Sequence, residues 1–172
     1  MAENAGSPAR RAAPVVLVIE DDPDIGALLS DLLRGAGYAV RVVDTALGVR
    51  GEIERLHPVA IVLDLGLPYC SGAALLADLK ADPVTAPIPV LVVSAYLECL
   101  SADRAALATT VLAKPFAPLD LLAAVRAAPA IQRHVARVAA ERQLDAPAQV
   151  VREARAWRRG TEECDQAPKQ DE

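Results

Sequence analysis

The sequence has few aromatic residues, no excess of basic charge and no long apolar run. Aromatic side chains make up 3% of its 172 residues, and its formal net charge is −5. That balance does not favour nucleic acid or an anionic membrane surface as a partner. No apolar run approaches the roughly 20 residues of a membrane span, and no signal-peptide core follows Arg10 and Arg11. We therefore expect a cytoplasmic protein.

Cysteine is also scarce. Cys70, Cys99 and Cys164 are odd in number and have no spacing typical of a metal site. This pattern favours reduced thiols in a reducing compartment. Hydrophobic residues nevertheless make up 53% of the chain, so a substantial core is expected, and the length fits one domain with an extension.

Short apolar runs alternate with helical patterns along most of the chain. Strands are predicted at residues 15–19, 38–43, 59–63, 88–95 and 110–113. Helices are predicted from 23 to about 34, from about 45 to 56, and at 71–82, 102–108 and 118–128. Asp22 and Pro23 are typical of a helix N-cap and first helical position. The residues expected to face inward from the first two helices are Ile25, Leu28, Leu29, Leu32, Leu33, Leu47, Ile53 and Leu56.

Five β-then-α units with short connections indicate an α/β fold with a doubly wound parallel sheet. In such sheets the ligand site lies beyond the carboxyl ends of the strands. The polar residues at or directly after the ends of the predicted strands are Glu20, Asp21, Asp22, Asp64, Ser94 and Lys114. Clustered carboxylates favour a divalent cation such as Mg²⁺, and a lysine with a hydroxyl suits phosphoryl oxygens. The pattern predicts a phosphoryl-transfer site with a carboxylate nucleophile.

Four segments carry a resemblance to a known family: "VLVIEDDPDI" (16–25), "IVLDLGLPYCSG" (61–72), "PVLVVSA" (89–95) and "LAKPF" (112–116). In this order, at strand ends, they make the chain resemble a response-regulator receiver domain of two-component signalling over roughly residues 14–128. The resemblance implies a flavodoxin-like five-stranded parallel sheet with strand order 2-1-3-4-5.

The resemblance also implies a role for each matching residue. Asp64 matches the phosphoacceptor, Ser94 and Lys114 match the groups that bind the phosphoryl oxygens, and small Ala95 matches the position that leaves access. The implied Mg²⁺ ligands are Glu20, Asp21, Asp64 and the backbone carbonyl of Gly66. Lys114–Pro115 is expected to be a cis peptide, and the implied partner is a sensor histidine kinase or a histidine phosphotransfer protein.

One position departs from the family pattern and keeps a second interpretation open. Val111 stands where the family usually has an aromatic residue whose rotamer reports phosphorylation. The main hypothesis is a phosphorylation-controlled receiver, not an enzyme beyond self-phosphorylation and slow autodephosphorylation. The alternative is a binding or scaffold module not controlled by phosphorylation. A magnesium-dependent phosphatase is disfavoured because Gly66 stands where its general acid would be needed.

The two ends of the chain are predicted separately. Residues 1–13 are expected to be a disordered segment, and residues 161–172 an acidic disordered tail. Residues 129–160 carry apolar stripes and arginines, which predict a helical extension that packs on the receiver or on a second copy. They are too few for a DNA-reading domain, so neither a DNA-binding output domain nor nucleic-acid binding is expected.

Overall fold

The computed structural model describes residues 13–68, 71–128, 130–134 and 136–137. The predicted N-terminal segment up to residue 12, most of the predicted extension and the acidic tail lie outside these residues, as do Cys70 and Cys164. Within the described residues, no helix is long and apolar enough to cross a bilayer.

Five parallel strands form one sheet in the order β2-β1-β3-β4-β5. They are β1 (Val15–Ile19), β2 (Ala39–Val43), β3 (Ala60–Leu63), β4 (Val90–Ser94) and β5 (Thr110–Ala113). The fold class and the strand order are therefore confirmed. The central strands β1, β3 and β4 are almost fully buried because helices cover both faces of the sheet.

The helices follow the strands one by one. They are α1 (Pro23–Gly35), α2 (Val49–Leu56), α3 (Gly72–Ala81), α4 (Ala102–Ala105) and α5 (Pro118–Ala127), with a short 3₁₀ helix at Leu97–Cys99 before α4. The N-cap prediction at Asp22 is confirmed, since its Oδ1 accepts from the backbone N–H groups of Asp24 at 2.9 Å and Ile25 at 3.1 Å. This cap begins α1 directly after the acids that follow β1.

The core has one apolar layer on each face of the sheet. On one face, side chains such as Leu17 and Leu63 pack with Ile53 from α2 and Leu76 from α3. The layer on the other face joins strand residues with α1 and α5, and its buried members include Val18, Val62, Leu29, Leu33, Leu121 and Val125. Alternate residues of each central strand enter opposite layers, so both faces hold these strands in place.

Two residues that were expected to face the core, Leu28 and Leu47, are exposed, so these two predictions are wrong. Leu28 is 50% exposed, because Gly26 and Ser30 occupy the buried side of α1 where it meets the sheet. Leu47 is 76% exposed, because α2 begins at Val49 rather than near residue 45. Gly48, with a φ of 76°, stands before α2 in the left-handed region, so the preceding residues form a loop.

Candidate functional site

The parallel strands bring the predicted polar residues to one edge of the sheet. Ile19 and Leu63, the last residues of β1 and β3, are register partners, and the backbone N–H of Asp64 donates to the Ile19 carbonyl at 3.0 Å. The N–H of Lys114 likewise donates to the Ser94 carbonyl at 3.0 Å. Residues far apart in the sequence thus leave adjacent strands side by side.

Lys114 links two of the acids. Its Nζ lies 2.9 Å and 2.7 Å from the two carboxylate oxygens of Glu20, and 2.8 Å from Oδ2 of Asp64. The three side chains are largely buried, with 12% of Lys114, 2% of Glu20 and 8% of Asp64 exposed. One ammonium therefore serves two carboxylates in a site of restricted solvent access.

The pKa values of Glu20, Asp64 and Lys114 are shifted in different directions. Burial raises the pKa of Glu20 to about 7, and repulsion from Asp64 and Asp21 adds to this against the opposing effect of Lys114. Burial also acts to raise the pKa of Asp64, but hydrogen bonds from Lys114, Ser94 and Gly66 hold it below its ordinary value. Burial acts to lower the pKa of Lys114, but its two carboxylate partners raise it. Asp64 is thus the acid held ionised near neutral pH.

Asp64 is oriented from two further directions. The N–H of Gly66 donates to its Oδ1 at 3.1 Å, and the hydroxyl of fully buried Ser94 is also hydrogen-bonded to the carboxylate. Oγ of Ser94 accepts from the N–H of Tyr96 at 3.2 Å. The turn amide therefore holds the oxygen of Asp64 that Lys114 does not contact, and the strand-end hydroxyl adds a further hydrogen bond.

Three carboxylates can converge on a cation. Glu20, Asp21 and Asp64 each offer an oxygen, and these oxygens lie within 4.8 Å of one another. Asp21 is exposed, whereas the other two are buried. Carboxylate oxygens, with water retained on an open side, are the ligands that Mg²⁺ prefers. The donor set therefore fits Mg²⁺, and Gly66 lies beside Asp64, where its carbonyl was predicted to contribute.

The remaining predicted positions lie at the same edge. Ala95 is exposed next to Ser94, and the Lys114–Pro115 peptide bond is cis. Val111 is partly buried and packs against the apolar layer that also includes Leu97. Because valine has no polar end, it gains nothing from exchanging this apolar environment for solvent.

Sequence reasoning missed two residues of the site. A Cβ atom on Gly72, the first residue of α3, would lie 2.3 Å from the carbonyl oxygen of Asp64, so only glycine allows α3 to begin this close to the strand end. A Cβ on Gly66 would lie 3.2 Å from the ring of Tyr96, which shows that this ring borders the loop after Asp64. The "SG" at the start of α3 is a usable signal for Gly72, but no local pattern indicates the Tyr96 contact.

Comparison with known proteins covers the same part of the chain. The family profile described as the response regulator receiver domain matches residues 16–126. The transcriptional regulatory protein PrrA of Mycobacterium tuberculosis is 36% identical over 116 residues, which are 67% of this chain and 49% of that protein. The DNA-binding dual master transcriptional regulator RpaA of Synechocystis is 39% identical over 119 residues, 66% of this chain and 48% of that protein. The chain thus spans about half the length of these curated relatives.

Solved structures give the same match. The receiver domain of a sensor histidine kinase from Pseudomonas aeruginosa, crystallised with a magnesium ion coordinated in its active-site cleft, is 26% identical with a TM-score of 0.60. The match covers 68% of this chain and 98% of that one.

Proposed function

This chain belongs to the response regulator receiver domain family, and on that premise we propose that it accepts a phosphoryl group on Asp64 from a phosphohistidine donor. The observation that carries the proposal is the environment of Asp64. This ionised carboxylate shares the ammonium group of Lys114 with Glu20, and Asp21 lies close enough for all three acids to bind one metal ion. Such a setting presents a nucleophile while offsetting the charge of the incoming group.

In the proposed transfer an oxygen of Asp64 attacks phosphorus as the phosphorus–nitrogen bond of the donor breaks. A phosphorus–oxygen bond forms, the bonding electrons return to the imidazole of the donor, and Asp64 becomes an acyl phosphate. The lowered pKa of Asp64 keeps it deprotonated, so no base has to remove a proton first.

The surrounding residues bind the transferred group. Lys114 already contacts Asp64 and is placed to pair with a phosphoryl oxygen, while the hydroxyl of Ser94 can donate to another. Exposed Ala95 leaves an approach to the site. These groups act by holding the phosphoryl oxygens as charge develops on them.

Glu20, Asp21, Asp64 and the Gly66 carbonyl would hold Mg²⁺. The ion would supply positive charge next to the phosphoryl oxygens. This charge is needed because an anionic group is transferred to a site that is itself anionic. Because only a few protein oxygens are available and solvent reaches Asp21, we expect weak binding.

The proposed partner is a sensor histidine kinase or a histidine phosphotransfer protein, in the cytoplasm. In the Pseudomonas aeruginosa relative the receiver domain is part of a sensor histidine kinase. The match to PrrA and RpaA instead covers about half of each transcriptional regulator. Receiver domains therefore occur in both kinds of protein, and the acceptor chemistry proposed for Asp64 does not depend on which signalling output follows.

Incubation of the full chain with acetyl phosphate and Mg²⁺ tests the proposal. We expect the intact mass to rise by one phosphoryl group in the parent protein and in Asp31→Asn, which alters an exposed acid on α1. Asp64→Asn should show no gain. An unmodified parent protein would favour the scaffold module, and an equal gain in both variants would overturn the assignment of Asp64.

A further inference from the structure

A cavity of about 860 Å³ lies at the β2 edge of the sheet, between α1 and the loop that leads from β2 to α2. It meets the acid cluster at Glu20 and Asp21 and extends along α1 as far as Ser30. Asp64, Ser94 and Lys114 do not line it. The cavity is thus a neighbour of the proposed phosphoryl site, sharing one wall with it.

Ser30 places a polar group in the wall of this cavity. It is 5% exposed, and among the described residues its hydroxyl has no hydrogen-bond partner. Buried polar side chains are normally satisfied, so an exception needs an explanation. A bound group that donates a hydrogen bond to Oγ would provide one.

The free edge of β2 supplies a second acceptor. Ala39 donates its N–H to Pro14 and Val43 accepts from Glu20, so alternate residues of β2 face β1. Val42 lies between them in this alternation and lines the cavity, and its N–H and C=O point away from β1. Its carbonyl is therefore not used within the sheet, in a cavity that Ser30 also lines.

Charge completes the pattern at the mouth of the cavity. Asp21 and Asp44 line it and are both exposed, and neither forms an ion pair within the described part of the chain. Arg41, the basic residue in the wall, lies 3.3 Å from Glu52, so its charge is already paired. The cavity presents an excess of acceptors and of negative charge.

We propose that this cavity binds an aliphatic polyamine, with one ammonium group at Asp21 and Asp44 and another donating to Ser30 and the Val42 carbonyl. The eight helical residues from Pro23 to Ser30, both of which line the cavity, span about 12 Å, a length that an extended triamine can bridge. At Gly26 the Val42 side chain packs closely against α1, and next to it the small side chain of exposed Ala27 leaves room for a methylene chain between the two ends. A polyamine offers several donors and no acceptor of comparable strength, which matches a wall rich in acceptors.

Spermidine titrated into the full chain in EDTA, followed by backbone amide NMR, tests this site. We expect saturable shifts at Ser30, Val42 and Thr45, and weaker binding of the shorter diamine putrescine. Ser30→Ala and Asp44→Asn should each weaken spermidine binding by at least about fivefold, because each removes a hydrogen bond to a charged group. Neither substitution alters the proposed phosphoacceptor or its contacts.

Asp103→Asn is the matched control, because it removes the same charge from the exposed surface of α4, which connects β4 and β5 at the sheet edge opposite β2. It should leave spermidine binding within about twofold, as expected for an exposed distant charge. Equal weakening in Asp103→Asn and Asp44→Asn would show general attraction to an acidic protein and would overturn the proposal. Shifts that do not saturate, or that Ser30→Ala leaves unchanged, would overturn it as well.

Discussion

Replacing Lys114 by methionine should destabilise the fold in a way that depends strongly on pH. The ammonium lies between two buried carboxylates, at 2.7 Å from Glu20 and 2.8 Å from Asp64. Lys114→Met leaves both acids without their common partner but keeps the apolar part of the side chain. Removing one member of a buried ion pair costs about 3–5 kcal/mol when the remaining charge is present. We expect a loss of this size at pH 8.

At low pH the loss should be smaller. The folded-state pKa of Glu20, about 7, lies above its ordinary value of 4.5, so its stabilising contribution is full below pH 4.5 and is lost as pH rises through 7. Without Lys114 the folded-state pKa of Asp64 also rises, and both acids can take up protons at pH 5. Protonating a carboxyl costs about 1.4 kcal/mol for each unit by which the pH exceeds its ordinary pKa. Since pH 5 lies only slightly above the ordinary values of 4.5 for Glu20 and 3.8 for Asp64, protonating both limits the loss to about 2 kcal/mol.

Lys80→Met provides the matched control for burying a methionine in place of a lysine. Nζ of Lys80 donates to the carbonyls of Ala86 at 3.0 Å and Ile88 at 2.6 Å, which do not titrate. Its destabilisation should therefore be nearly the same at pH 5 and pH 8. Urea unfolding of both variants in EDTA gives the comparison, provided that the slopes stay equal. A loss in Lys114→Met that does not grow between pH 5 and pH 8 would refute the electrostatic account.

Two further predictions concern the close approach of α3 to β3 and the start of α2. Gly72→Ala should destabilise the chain by about 1–3 kcal/mol, because its Cβ would overlap the Asp64 carbonyl; Gly51→Ala, in open space on α2, should stabilise it by about 0.4–1 kcal/mol. Thermal unfolding that ranks them in the opposite order would contradict this contact. Ile53→Ala should cost about 2–5 kcal/mol, whereas Leu47→Ala should change stability by less than about 0.5 kcal/mol, and equal urea midpoints would argue against the observed start of α2.

The sheet and the residues at its edge could be predicted because the sequence marks them locally. Each central strand is a short apolar run, and a charged or hydroxyl residue follows or ends it, as Asp64 and Ser94 show. In a parallel sheet such ends must meet at one edge, whatever the intervening helices contain. The Asp22 cap was equally visible, since capping depends on residues close in sequence.

The errors have two different causes. The helical spacing of Leu28 favours burial, but the packing of α1 on β2, which comes later in the sequence, leaves this residue exposed. Leu47 is exposed because the left-handed Gly48 directly after it delays the start of α2 until Val49. The contacts of Lys114 with both Glu20 and Asp64 depend on three separate strand ends, and spacing alone could not show that one ammonium serves two acids. The position of the Tyr96 ring depends on the loop after β4, which carries no comparable pattern.

The most direct test of the central claim is to locate the phosphoryl group in the chain. Reduction of an aspartyl phosphate with borohydride converts that residue to homoserine, which peptide mass spectrometry can identify. After treatment with acetyl phosphate and Mg²⁺, we expect homoserine at position 64 and at neither Asp21 nor Asp22. Homoserine at another aspartate, or a phosphate that resists reduction, would contradict the assignment of Asp64 as the acceptor.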